Sequence, residues 1–376
     1  MALTVADLSL LQRALSLAES SIGLSEPNPR VGCVLIDAQG QLAGEGFTQL
    51  AGGAHAEVMA LRQAAAHGRS VKGGTAWVSL EPCAHHGRTP PCADALVSAG
   101  LARVVVGTTD PFASVAGRGL QRLRAAGVRV DLAEPGLFTQ AAMALNIGFF
   151  SRVLRQRPWV RMKLAASLDG RTALPDGRSQ WITGAAARAD GHAWRRRAGA
   201  LLTGSGTILH DDPRLDVRLA PTTVQPLRVV LDSRLRMSDT AQVLASDGRC
   251  LVIHVADEPE RAAALQRAGA QLHRLAGADG QVDLHALLRL LTHEKVNELH
   301  VEAGATLNAA LLQAGLVDEL LLYLAPKLLG PGLGLAKLPQ LDGLPGSNDW
   351  QFVQTRPLGE DMMLRLQSKE SLAQLS

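Results

Sequence analysis

The sequence predicts two consecutive α/β domains, and three observations carry that prediction. The chain is 376 residues long, more than one ordinary hydrophobic core accommodates. Short apolar strands alternate with segments of helical periodicity along most of that length, the mark of layered α/β folds. A polar, basic stretch at 151–157 (SRVLRQR) separates two apolar patterns and makes the natural boundary. Domains are therefore expected over residues 1–150 and 151–376.

In the first domain Leu10, Leu11, Ala14, Leu15 and Ala18 recur at helical spacing and predict an opening helix. Residues 30–36 (RVGCVLI), 75–80 (TAWVSL), 103–107 (RVVVG) and 128–132 read as strands. Helices are expected between them at 56–67, 92–99 and 120–126. The second domain opens with a strand near Pro158, in WVRMKLAASLDGRT. Further strands are expected at 227–231, 250–255, 299–301 and 320–324, with helices at 185–197 and 307–314. Residues 368–376 lack an apolar pattern and are expected to fray.

Composition narrows the function classes. No apolar run is long enough to cross a bilayer, and the first twenty residues lack the basic leader and cleavage site of a secretion signal. A formal net charge of +3 gives no reason to expect a nucleic-acid or membrane partner. Four cysteines are too few for a disulfide scaffold in a chain of this length, so those near histidine read better as metal ligands. The expected setting is the cytoplasm. Cys33 and Cys250 fall inside apolar strands and read as core residues.

The strongest chemical signal is His55-Ala-Glu57, followed by Glu81-Pro82-Cys83 and then Cys92. One imidazole and two thiolates leave the fourth tetrahedral position of a zinc ion open, which is a catalytic arrangement. Such a metal lowers the pKa of bound water to about 7. A carboxylate one residue beyond the histidine ligand, at a helix start, can move protons without binding metal, and Glu57 fits that role.

These residues resemble the zinc nucleobase deaminases, whose signature is His-x-Glu and a later Pro-Cys with a second cysteine nearby. The departure is the spacing, with eight residues between Cys83 and Cys92 where the usual deaminase has two. That insertion is similar to the riboflavin-pathway deaminases, as is Asn28-Pro-Arg-Val-Gly. The resemblance implies a three-layer, cytidine-deaminase-like first domain. It places His85 and Arg88 on the substrate phosphate and Asn28 on the base, and leaves His86 unassigned. Arginine grips phosphate bidentately, and an amide can donate to and accept from a pyrimidine edge at once.

From residue 158 the chain resembles the reductase half of the bifunctional riboflavin-biosynthesis enzymes, a half that shares its fold with dihydrofolate reductase. The matching stretches are KLAASLDGRT (163–172), SQWIT (179–183), TGSGT (203–207), DDPRL (211–215), LDSR (231–234) and VEAGAT (301–306). In physical terms VEAGAT follows a strand and opens a helix, where free amides favour a pyrophosphate. A GxGxxG fingerprint is absent after this domain's first strand, so a standard Rossmann unit is not expected.

The family's contacts imply NADPH lined by Ala165, Trp181, Thr207, Asp211, Ser233 and the run Gly304, Ala305, Thr306, Leu307, Asn308, Ala309 and Ala310. They imply substrate held by Ser179, Arg195, Leu215, Arg218 and Glu302, with the two arginines as phosphate partners and Glu302 on ribose hydroxyls. Lys163 or Asp169 is expected to assist protonation, and Arg234 to meet the 2′-phosphate.

The activity implied is zinc-dependent deamination of 2,5-diamino-6-(5-phosphoribosylamino)pyrimidin-4(3H)-one, then NADPH reduction of the ribosyl to a ribityl chain. A homodimer through the reductase half is implied as well. Two rivals stand beside it. A deaminase of another nucleotide or of tRNA does not explain the second half, and tRNA calls for a more basic chain. A structural zinc module joined to a nucleotide sensor would need a fourth protein ligand, for which His85 and His86 are the candidates.

Overall fold

The computed structural model describes residues 3–84, 90–112, 116–222, 224–340 and 349–375. The chain forms two compact units, Met1–Leu154 and Arg155–Ser376.

The first unit runs α1 (Val5–Glu19), β1 (Gly32–Ile36), β2 (Leu42–Phe47), α2 (Ala56–Ala66), β3 (Thr75–Val78), α3 (Cys92–Ser98), β4 (Arg103–Val106), α4 (Arg118–Ala125), β5 (Arg129–Leu132), α5 (Leu137–Leu145) and α6 (Ile147–Leu154). Its five strands lie in the order β2-β1-β3-β4-β5. The β2–β1 and β1–β3 pairs are antiparallel, and β3–β4 and β4–β5 are parallel.

Helix α1 starts at Thr4, whose hydroxyl accepts the Asp7 N–H while the Asp7 carboxylate accepts the Thr4 N–H. Asp7 also takes the Trp77 indole N–H at 3.0 Å and two N–H groups of Arg103, which ties the helix to β3 and β4. The opposite face of the sheet carries α2. It lies so close to β2 that a Cβ on Gly46 would stand 2.4 Å from the Ala56 carbonyl oxygen.

β2 is absent from the sequence expectation. Its sequence, LAGEGF, carries the small residues of a turn, yet here those glycines admit a helix. Helix α6 continues to Leu154 with Ser151 fully buried inside it, so the first part of the 151–157 stretch is helical. Among the described residues no single helix is long and apolar enough to cross a membrane.

The second unit runs β6 (Trp159–Ser167), β7 (Arg171–Ala173), α7 (Ala185–Arg197), β8 (Ala200–Gly204), α8 (Ser205–Asp211), β9 (Leu227–Leu231), α9 (Gln242–Ala245), β10 (Cys250–His254), α10 (Pro259–Arg267) and β11 (Ala270–Arg274). It continues through α11 (Leu284–His293), β12 (Glu298–Val301), α12 (Ala305–Gln313), β13 (Glu319–Ala325), β14 (Leu333–Gly334), β15 (Trp350–Leu358), β16 (Asp361–Ser368) and α13 (Lys369–Ala373). The main sheet has the order β11-β10-β9-β8-β12-β6-β13-β16-β15. Strands β11 to β13 in that order are parallel, and β16 and β15 add an antiparallel edge.

Three neighbouring strands are stapled by a buried ion cluster. The Arg161 guanidinium on β6 donates to Glu319 on β13 and to Glu298 on β12, each at 2.8 Å. Glu319 also accepts from Arg365, Gln367 and the Trp159 indole. Burial alone would push the Glu319 carboxyl up, but Arg161 and Arg365 outweigh it and hold the group at about 2.

The chain end differs from the frayed tail expected. Helix α13 docks because the Ser371 hydroxyl donates to the buried Asp318 carboxylate at 2.7 Å, a polar anchor that hydrophobic periodicity does not reveal. Cys33 and Cys250 are buried in β1 and β10 without disulfide partners.

Arg161→Met should cost about 3–5 kcal/mol in urea unfolding, because Glu298 and Glu319 lose their shared partner in a dry interior. Wild type should lose the Glu319 contribution as pH falls from about 4.5 towards 2. That acid limb should be the part of the pH–stability curve that the variant flattens.

Candidate active sites

The first site is assembled at one edge of the five-stranded sheet. β1 begins there and β2, β3 and β4 end there, so Asn28, His55, Cys83 and Asp110 all leave the sheet on the same side. His55 is the N-cap residue of α2 and makes no side-chain capping bond, which leaves its ring to other work. Cys92 opens α3, and its backbone N–H donates to the Cys83 sulfur at 3.3 Å.

The His55 Nδ1 atom lies 3.6 Å from Cys83 Sγ and 3.3 Å from Cys92 Sγ. A tetrahedral zinc with Zn–S of about 2.3 Å and Zn–N of about 2.0 Å separates nitrogen from sulfur by roughly 3.5 Å. The donor set therefore fits zinc in identity and in spacing. It is the one group of metal-binding side chains among the described residues.

Glu57 and the two thiol donors are electrostatically tuned. Glu57, in the first turn of α2, is almost fully buried, and burial with the neighbouring Cys83 charge raises its carboxyl above the ordinary value. Cys83 is held low by the hydrogen bond from Cys92, whose own thiol is raised in turn.

Glu81 secures the loop that carries Cys83. Its carboxylate is buried and accepts backbone N–H bonds from Asp110 at 3.3 Å, Gly117 at 3.0 Å, Gly119 at 2.9 Å and Leu120 at 3.4 Å. It thereby caps the N-terminus of α4, where negative charge is favoured. A Cβ on Gly119 would meet the Pro82 carbonyl oxygen at 2.0 Å, so only glycine lets α4 come this near. Asp110, also buried, is pushed up to about 7 by burial and by the Glu81 charge.

The backbone N–H of Asn28 donates to Ser25 at 2.7 Å, which fixes the loop entering β1. His85, His86 and Arg88 lie outside the described residues.

The second site is a cleft of 1340 Å³ at the C-terminal ends of β6, β8, β9 and β12. Of the cofactor residues expected, Ala165, Thr207, Asp211, Ser233, Gly304, Ala305, Thr306, Leu307, Asn308 and Ala310 line it. Ser179 and Glu302 of the substrate set do so too. The N-cap of α12 is Gly304, without a side chain to take the first amides of the helix, and the buried Oδ1 of Asn308 has no hydrogen-bond partner. A volume of this size, free amides at a helix start and an orphaned acceptor suit a dinucleotide.

Both units match known protein families. Residues 5–108 match the cytidine and deoxycytidylate deaminase zinc-binding region, and residues 158–364 match the RibD C-terminal domain. Riboflavin biosynthesis protein RibD of Escherichia coli is 43% identical, over 95% of this chain and 98% of its own length. This chain belongs to the RibD family.

Two solved structures share the whole fold. RibD of Acinetobacter baumannii matches with a TM-score of 0.86 and 40% identity, over 96% of this chain and 99% of that one. A deaminase/reductase of Thermotoga maritima, named for diaminohydroxyphosphoribosylaminopyrimidine and 5-amino-6-(5-phosphoribosylamino)uracil, matches with a TM-score of 0.84 and 29% identity, over 96% and 98% of the two chains. This RibD-family chain is thus a bifunctional enzyme of riboflavin biosynthesis. It joins a cytidine-deaminase-like unit to a dihydrofolate-reductase-like one.

Of the residues expected at the RibD-family cleft, seven stand off the lining. Trp181 is exposed, with the Arg188 guanidinium 4.5 Å from its ring centroid. Ala309 turns into the core on the far side of α12. Leu215 packs in a core cluster with Ile208 and Val230.

Arg195 is spent on Glu302, which it grips with two N–H groups at 2.5 and 2.9 Å, and on the Asp216 carbonyl at 3.0 Å. Its guanidinium is an internal counter-ion more than a free phosphate partner. Arg218 is exposed beside Asp216 and His192. These groups form one connected chain ending at Glu302, whose carboxyl stays well below its ordinary value because Arg195 outweighs burial.

Asp169 is occupied by the Ser167 hydroxyl and the Leu329 and Gly330 amides, whereas Lys163 lines the cleft. Arg234 does not line it and Arg236 does. No periodicity distinguishes those two, since the turn between them decides which faces inward. The Glu81 cap was equally hidden from the sequence, because its partners are backbone amides far along the chain, and Asp110 is perturbed by burial and by that same distant Glu81.

Gly46→Ala should drive the first turn of α2 from β2 and displace His55 and Glu57. Zinc affinity should fall roughly tenfold or more, read by competition with a chromophoric chelator. Asp110→Asn keeps an acceptor for the Phe112 N–H, 2.8 Å away in wild type. A folded pKa of about 7 means that the wild-type folded state holds a proton the unfolded chain has released above about 4. Wild-type stability should therefore fall between pH 4 and pH 7, and thermal melts of the Asn variant should lack that component.

Proposed function

We propose that the first domain, residues 1–150, deaminates 2,5-diamino-6-(5-phosphoribosylamino)pyrimidin-4(3H)-one. The second, residues 151–376, then reduces the ribosyl unit of the product to ribityl. The observation that carries this reading is the pairing of two sites on one chain: a three-donor His/Cys/Cys set beside a buried glutamate, and a dinucleotide-sized cleft at the start of a helix.

In the first site His55, Cys83 and Cys92 would hold zinc, which when bound supplies water of lowered pKa as a nucleophile. Glu57 carries the proton from that water to the ring nitrogen and then to the departing ammonia. Burial and the neighbouring Cys83 charge raise its carboxyl, which suits a group that must take up a proton and pass it on. Asn28 reads the pyrimidine edge, and His85 and Arg88 take the phosphate.

In the second site NADPH would lie along Ala165, Thr207, Asp211, Ser233 and the first turns of α12, supplying hydride for C1′ of the opened ribosyl unit. Glu302 binds ribose hydroxyls, with Arg195 as the residue that positions it, and Arg218 is left as the exposed phosphate partner. Lys163 is the better placed of the two proton-donor candidates, because its side chain faces the cleft. The enzyme is read as cytoplasmic and as acting on a small molecule, without nucleic-acid or membrane partners. A homodimer through the second unit is supported by β15, a largely exposed nine-residue strand at the open edge of the sheet.

Zinc-loaded protein given the diaminopyrimidine ribotide should release ammonia and then oxidise NADPH. Glu57→Gln should slow ammonia release by roughly 10²- to 10⁴-fold at unchanged zinc content. NADPH oxidation with pre-deaminated substrate should persist in that variant. Ammonia release at the wild-type rate would remove Glu57 from the chemistry, and no release from wild type would reject the substrate.

A further inference from the structure

We propose that Arg236 selects the phosphorylated dinucleotide by binding the 2′-phosphate of the adenosine ribose, a role that rests on the NADPH reading above. Three long-chain cations line the cleft: Lys163, Arg236 and Lys337. Each occupies a different station.

Lys163 stands over Tyr323, 5.8 Å from its ring centroid, and helps keep Glu302 ionised, which puts it at the substrate end. The Lys337 backbone N–H donates to the Ala305 carbonyl at 2.9 Å, so this residue lies against the first turn of α12, the station of the pyrophosphate. Arg236 is on the loop after β9, and β9 is separated from β12 by β8 alone. Two strand spacings are about 10 Å, within reach of the ribose phosphate that follows a pyrophosphate held at α12.

The loop after β9 turns Arg236 inward. Leu235 adopts a positive φ of 52°, and its N–H donates to the Asp232 carbonyl at 3.0 Å. The Asp232 carboxylate takes the Met237 N–H at 2.7 Å and closes the turn. Arg234 is left exposed and off the cleft, while Arg236 comes back to it.

The guanidinium is also aimed. The second oxygen of Asp232, buried and without a hydrogen-bond partner, lies 3.6 Å from the Arg236 Nε. Nη2 donates to the Ser205 hydroxyl at 2.7 Å. Ser205 and Ser233 both line the cleft. One half-exposed guanidinium with the Ser205 hydroxyl against it, on a cleft wall that also holds Ser233, is a donor set for a phosphate monoester, and it leaves nothing for a bare ribose hydroxyl that water would not supply.

The test is calorimetric binding of adenosine 2′,5′-bisphosphate and of 5′-AMP to the full-length protein, with steady-state NADPH and NADH kinetics beside it. Wild type should prefer the bisphosphate. Arg236→Ala should weaken the bisphosphate about 10- to 100-fold and leave 5′-AMP within about twofold, as expected for losing charged hydrogen bonds. KM for NADPH should rise by a similar factor while kcat and the NADH parameters hold. Arg236→Lys should recover part of the loss, and Arg234→Ala should match wild type.

Thermal melts of each variant separate a folding defect from a binding one. An intact preference in Arg236→Ala, or its loss in Arg234→Ala, overturns the assignment and leaves the NADPH reading standing. A wild-type protein that does not distinguish the two nucleotides overturns both.

Discussion

The second unit depends on the charge cluster around Arg161. Its guanidinium is wholly buried and shared between Glu298 on one neighbouring strand and Glu319 on the other. That arrangement is register-specific. Arg161 pairs with His300 on β12 and with Glu319 on β13, so a slip of one residue on either strand would leave a carboxylate in the dry interior without its partner. A buried ion cluster is weak evidence of net stability, yet it is strong at excluding alternatives. Two of these strands lead to the cleft, β6 with Lys163 and Ala165 and β12 with Glu302 directly after its last residue, so the cluster sets the relative heights at which those side chains enter it.

The first unit solves a similar problem with backbone amides instead of arginine. Glu81 sits two residues before Cys83 and draws four N–H groups from the segment leading into α4. The loop bearing one thiolate is thereby fastened to a helix start, while α2, bearing the histidine and the glutamate, is fastened by glycine contacts to β2. The two halves of the donor set are positioned by independent means. A change at one fastening should move one ligand and leave the other, which is why metal affinity is a finer probe of this site than global stability.

Much of this was legible in the chain. The zinc donors and Glu57 stand in short motifs whose residues are neighbours in sequence, and the strands rich in valine and leucine, such as 103–106 and 227–231, were visible from composition. What escaped reading had its cause elsewhere along the chain. β2 looks like a turn because its glycines answer to α2, and α13 looks like a loose tail because its anchor is Asp318, 53 residues earlier. Arg195 looked like a free phosphate partner in a basic run, but its counter-ion is 107 positions away. Periodicity reports what a segment buries, and says nothing of which distant group it answers.

The Arg195–Glu302 pair shows what that long-range partner does for the proposed chemistry. A carboxylate at a cleft wall, left to burial, would take up a proton and become a mixed donor and acceptor. The bidentate grip of Arg195, with His300 3.5 Å away on the same strand, keeps it ionised and fixes the plane of its two oxygens. Such a group accepts hydrogen bonds and does not donate them, so it favours the hydroxyls of an opened ribosyl chain and repels an anion. In the proposed binding mode the substrate phosphate is directed away from Glu302, towards the exposed Arg218. A single internal ion pair, on this reading, orients a substrate whose two ends differ mainly in charge.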